Sequence, residues 1–133
     1  MNDGVNEDFS KNLNNMFRDH VNALVKDGQE IIEDLTPEKA DLLHVTVGVS
    51  GEAGELLDAV KKACIYGKQI DVENIIEELG DIEFYMSRVR EIVGVSREET
   101  LQYNIIKLGK RYPSGAYSND QATERADKST PDS

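Results

Sequence analysis

Apolar positions recur along this chain at helical spacing, in blocks separated by short polar or glycine-containing breaks. Leu13, Phe17, Val21 and Leu24 follow one another by four, four and three residues, one stripe of a helix. Ser10 precedes the stripe as an N-cap, and the helix is expected to end near Gly28. A weaker run follows from Gln29 to Leu35. Thr36-Pro37 then opens a long helix, because Thr caps the first turn and Pro fits the first helical position without losing a bond. That helix is expected to run from Pro37 to Tyr66, with Gly67 as its left-handed stop. Gly48, Gly51 and Gly54 lie inside it. Each costs about 1 kcal/mol against Ala in a helix interior. Three so close together require tight packing, room for a ligand, or a break.

Asp71 caps a further helix from Val72 to Val93, stopped by Gly94, with Ile75, Leu79, Ile82, Met86 and Val89 as its core stripe. Ser96 and Glu99 form a capping box that opens a helix from Arg97 to Tyr112, and Pro113 ends it. A short helix after Ser118 is the only regular element expected in the tail. Strand alternation is absent. The class is all-α, an antiparallel bundle of four to five helices. The expected division is a flexible N-terminus over 1–9, a helical domain over 10–112, and a polar C-terminal tail over 113–133.

The 133 residues are enough for one domain with one core. The single cysteine, Cys64, excludes an internal disulfide, and no apolar run approaches a membrane span. The polar, acidic N-terminus does not read as a targeting peptide, so a cytoplasmic location is expected, or the host cytoplasm if the protein is viral. The net charge of −11 argues against gripping a long nucleic-acid backbone. Resolved by segment, it says more. Only residues 95–112 carry more bases than acids, four against two, and carboxylates are close-set in two places.

Those places are Glu52-Ala53-Gly54-Glu55 and Glu78-Leu79-Gly80-Asp81. A spacing of three brings each pair onto one helix face, and both pairs border core-facing positions. The connection from Gly67 to Asp71 is short, so the two helices are expected to pack antiparallel. Glu55 stands eleven residues before Tyr66 and Asp81 nine after Val72, which makes them level to about 3 Å. Glu52 and Glu78 then fall on opposite sides of that level. Four carboxylates so gathered repel unless protonated or metal-bound, and all-oxygen ligation suits Mg²⁺ or Mn²⁺. No Glu-x-x-His occurs, which disfavours a carboxylate-bridged redox site. The competing reading is a non-enzymatic helical binding or assembly module with solvated acidic faces. On the basic helix, Asn104, Lys107 and Arg111 share one face, a cationic clamp suited to phosphate.

Gly51-Glu52-Ala53-Gly54-Glu55-Leu56, then Glu77-Glu78-Leu79-Gly80-Asp81, then Lys107-Leu108-Gly109-Lys110-Arg111-Tyr112 resemble, in that order, the MazG-like all-α nucleoside triphosphate pyrophosphohydrolases. The resemblance covers roughly residues 37–118, and the tail through Tyr117 looks like that of small stand-alone phage or bacterial members. It implies Mg²⁺-dependent cleavage of a (d)NTP to the monophosphate and pyrophosphate, with Mn²⁺ as a substitute metal. Glu52, Glu55, Glu78 and Asp81 would hold the metal and form the catalytic set, Glu52 or Glu55 accepting the proton of the attacking water. Lys107 and Arg111 would contact the phosphates, with Lys61, Lys62 and Lys68 as further candidates. His44, Asn74, Tyr85 and Tyr112 are candidates for the base, and dGTP is the substrate that phage relatives suggest. Family members assemble as dimers or tetramers, so a homodimer or homotetramer is expected here.

Overall fold

The structure, a computed structural model, describes residues 3–128. It contains six α-helices: α1 Asp3–Leu24, α2 Gly28–Asp34, α3 Pro37–Cys64, α4 Val72–Val93, α5 Arg97–Arg111 and α6 Asn119–Glu124. A 3-10 turn over Ala126–Lys128 follows. No strand occurs among the described residues, so the class is all-α.

Two compact units divide the chain, residues 1–39 and 40–133. In the first, α1 begins at Asp3 and not after Ser10. The amphipathic stripe continues backward from Leu13 to Phe9, so Ser10 is an ordinary helical residue. Of the N-terminal stretch expected to be flexible, Met1 and Asn2 lie outside the described residues. Gly28 does not lie in α1, which ends at Leu24; it opens α2. Asp27 caps that short helix, accepting the Gln29 N–H at 2.7 Å.

In the second unit, local chemistry sets the helix ends as the sequence indicates. Asp71 Oδ1 accepts the Asn74 N–H at 3.1 Å, and Gly94 closes α4 with φ of 73°. The capping box of α5 is reciprocal: Ser96 Oγ accepts the Glu99 N–H at 3.0 Å, and Glu99 accepts the Ser96 N–H at 2.6 Å. At the end of α3, Gly67 adopts φ of 65° and Lys68 N–H reaches back to the Lys62 carbonyl at 3.2 Å. The chain therefore folds back over the last turn of α3 before α4 begins.

α3 runs unbroken through its three glycines. Only Gly48 is tightly packed: a Cβ there would lie 2.5 Å from Tyr85 Cδ1 and Cε1, whereas at Gly51 or Gly54 it would meet open space. About two turns further toward the start of α3, Arg88 Nη2 donates to Asp41 Oδ2 at 2.6 Å, joining α3 to α4 again. The C-terminal segment packs back on α5, where Arg111 and Asp127 form a bidentate pair with distances of 2.7 and 2.9 Å. The core within the chain is small. Only Val45 and Ala59 are buried among the described residues.

Candidate metal centre and its surroundings

Spacing of three on a helix places Glu78 and Asp81 on one face of α4, and α3 presents Glu52 toward them. Carboxylate oxygens of Glu52, Glu78 and Asp81 all lie within 4.8 Å of one another. Two helices thus supply three hard oxygen donors at one point, and no cationic side chain pairs with them among the described residues. Burial, followed by the charges of Glu52, Glu55, Asp81 and Glu77, pushes the Glu78 carboxyl above its ordinary value. The cluster is unfavourable by itself and becomes favourable with a bound divalent cation. This donor set fits such an ion: all oxygen, anionic and drawn from rigid helices.

Glu55 stands outside the close group, although its charge still acts on Glu78 and on Lys62. The level of the two helices differs from the expected one. Glu52, and not Glu55, joins Asp81 and Glu78. The observed register is the one in which Gly48 meets the Tyr85 ring, and the connection turns back over α3 through Gly67 and Lys68 before α4 starts. Equal counting from Tyr66 and Val72 sets Leu57 level with Asp81 where Glu52 stands, so it misplaces the register by about five residues, roughly 7.5 Å.

The candidate phosphate ligands are dispersed. Arg111 is clamped by Asp127, whose side chain is 1% exposed and whose carboxyl the guanidinium lowers to about 2. Lys107 is half-buried beside Lys110 and Lys128, around a small cavity of about 130 Å³. Lys62 pairs with Asp58 at 2.9 Å, and Lys61 shares that acid at 3.3 Å. Lys61 also lies 5.7 Å over the Tyr66 ring. Lys68 is exposed at the turn that ends α3. None of these cations is ion-paired with the acidic cluster among the described residues.

Of the base candidates, His44 and Tyr85 share one open cleft of about 600 Å³ with Asp41, Phe84, Ser87 and Arg88. Tyr85 lies one turn beyond Asp81 and His44 two turns before Glu52, so the cleft adjoins the acidic cluster along the same pair of helices. Asn74 is in the first turn of α4, where Asp71 accepts its backbone N–H. Tyr112 packs against Tyr117, with ring centroids 5.5 Å apart. These four do not converge on one pocket. Asp41 and Arg88 were not singled out by sequence. Their pairing spans α3 and α4 and becomes visible only when the helices are aligned.

The family model of the MazG nucleotide pyrophosphohydrolase domain matches residues 41–116. That span contains both acidic pairs, the α3–α4 connection and all of α5. No curated protein and no solved structure matches the chain. The match covers more than half of the sequence and coincides with the unit that builds the carboxylate centre: the chain belongs to the MazG nucleotide pyrophosphohydrolase family.

Proposed function

We propose that the protein hydrolyses a nucleoside triphosphate, with deoxynucleotides and dGTP foremost, to the monophosphate and pyrophosphate. The reading rests on one observation above the rest, the convergence of Glu52, Glu78 and Asp81 in a family of nucleotide pyrophosphohydrolases. The family depends on divalent metal, and these three carboxylates would hold Mg²⁺, or Mn²⁺ in its place. Such a cation would neutralise triphosphate charge and lower the pKa of the attacking water. Glu55 is the carboxylate left free of the close group, and a carboxylate oxygen of Glu55 accepts the proton of the attacking water. Lys107 supplies positive charge to the phosphates, with Lys62, Lys68 and Arg111 as further contacts. Arg111 would do so on exchanging Asp127 for phosphate, because both present oxygens to the same guanidinium fork. His44, at the open cleft beside Tyr85, stacks on or bonds the base.

We further infer a homodimer or homotetramer. α1 leaves Phe9, Leu13, Phe17 and Leu24 exposed, and α5 leaves Leu101, Ile105 and Ile106 exposed. Such bare stripes on helices in a chain with so small a core are surfaces for a second copy.

A panel of canonical deoxynucleoside and ribonucleoside triphosphates with Mg²⁺ or Mn²⁺, with products identified, tests the activity. Pyrophosphate and monophosphate are expected from at least one substrate, dGTP most of all. Stepwise release of orthophosphate, or no turnover of any triphosphate, overturns the reading.

A further inference from the structure

We propose that the Tyr85 ring, seated on Gly48, is the spacer that holds α3 and α4 at the separation the metal-binding carboxylates need. Gly48 and Tyr85 are then positioning residues. The proposal rests on the metal-centred reading of Glu52, Glu78 and Asp81 given above.

The seat lies next to the cluster on both helices. Gly48 is four residues before Glu52, and Tyr85 four residues after Asp81. Each step is one turn, about 6 Å along the axis. Contact at the seat and contact at the cluster therefore belong to one antiparallel seam, with 48 opposite 85 and 52 opposite 81. Helix separation is set by the side chains that meet at the contact. Here one helix contributes bare backbone and the other a ring lying against it. A Cβ at position 48 would be 2.5 Å from two ring carbons and 2.7 Å from Cγ, far inside van der Waals contact. A methyl group there displaces the ring or the helix.

The other glycines of α3 show that this is not a general tolerance for small residues. An added Cβ at Gly51 or Gly54 meets nothing within 4 Å. Phe84 meets the ring in an edge arrangement, with centroids 5.3 Å apart and planes at 76°. The seat opposes a force from the cluster itself: the carboxylates of Glu52, Glu78 and Asp81 lie within 4.8 Å of one another across the two helices, so like charges push the helices apart when no cation is bound. The Asp41–Arg88 ion pair, about two turns from Gly48 on α3 and one turn from Tyr85 on α4, also ties the seam. Both its side chains are more than a third exposed, and such a pair contributes little. The close packing of ring on backbone is the stronger constraint. Carboxylates on an ion such as Mg²⁺ sit about 2 Å from it in near-ideal geometry, so a displacement of about 1 Å between helices is felt as affinity.

The test measures the midpoint of the Mn²⁺- and Mg²⁺-induced rise in melting temperature, and the same affinities by titration calorimetry, on the full chain. Gly48→Ala is expected to raise the metal midpoint about tenfold or more. Gly51→Ala, the same change three residues away into open space, is expected to leave it at the wild-type value. Tyr85→Phe keeps the ring on Gly48 and is expected to keep the wild-type midpoint. Tyr85→Leu removes the ring, is expected to shift the midpoint as Gly48→Ala does, and serves if Gly48→Ala does not fold. A purely structural contact would lower the metal-free melting temperature and leave the midpoint alone; that result in Gly48→Ala and Tyr85→Leu overturns the proposal. An equal shift in Gly51→Ala or Tyr85→Phe overturns it too. A wild-type protein that responds to neither metal removes the metal-centred reading together with the spacer, whereas a responding wild type with unmoved variants removes the spacer alone.

Discussion

Glu78 carries the clearest conflict between stability and function. Burial and the charges of Glu52, Glu55 and Asp81 raise its carboxyl, so its ionised form weakens the metal-free fold. Glu78→Gln removes that charge and keeps the shape. The metal-free variant is expected to melt above the metal-free wild type, to lose the Mg²⁺-induced rise in melting temperature, and to lose activity by about 100-fold or more. Calorimetry with and without metal, beside a pyrophosphate-release assay, checks all three. A variant that melts lower without metal, or still responds to it, contradicts the assignment. At this scale, spacing exposed Glu78 and Asp81 as a pair, since two acids three apart on a helix share a face wherever the helix lies. Spacing could not say which α3 acid would meet them. Glu52 rather than Glu55 meets them in the register where the Tyr85 ring lies on Gly48, and that contact is not a local property of the acidic motif. Arg111 shows the same limit: its partner, Asp127, is sixteen residues away across a loop and a short helix.

The helices themselves were legible because each end carries its own chemistry. α4 begins and ends where Asp71 and Gly94 place it, and α5 opens on its capping box. Ser96→Ala removes the acceptor of the Glu99 N–H and is expected to cost about 1 kcal/mol, measurable by chemical denaturation. The start of α1 was misread because Ser10 has the right chemistry for a cap, while the stripe through Phe9 extends the helix past it. The last segment depends on a tertiary contact. Hydrogen bonds from Arg111 hold Asp127 at about 2 against an ordinary value of 3.8. A depressed carboxyl contributes its stability in full above the unfolded value and loses it as pH falls through the folded one. The 3-10 turn and α6 are therefore expected to stay docked on α5 above about pH 4 and to be released toward about pH 2. Hydrogen exchange over 119–128 reads this directly. In Asp127→Asn the same amides should exchange fast throughout, with little dependence on pH. Protection that persists in the variant would show that the ion pair does not hold the segment.

Folding a chain of this length costs about 1–2 kcal/mol of backbone entropy per ordered residue, which apolar burial has to offset. Among the described residues only Val45, at 6% exposure, and Ala59, at 5%, are fully buried, a small set for that task. Large apolar side chains stand exposed along the helices: Phe9, Leu13 and Phe17 on α1, and Leu101, Ile105 and Ile106 on α5. Periodicity identified the α1 residues as one stripe of a helix; what sequence patterning could not tell was whether another helix of the same chain or of a second copy covers it. If copies of this chain cover one another, stability must depend on concentration, because association and folding are then one equilibrium. The melting temperature is expected to rise with protein concentration, and the mass in solution to be two or four times 14.9 kDa. Phe17→Asp places a charge in the α1 stripe and is expected to lower that mass, abolish the concentration dependence and reduce activity along with it. A wild-type protein of single-chain mass, with one melting temperature at every concentration, would place the whole of the stability within one chain and remove the basis for the assembly.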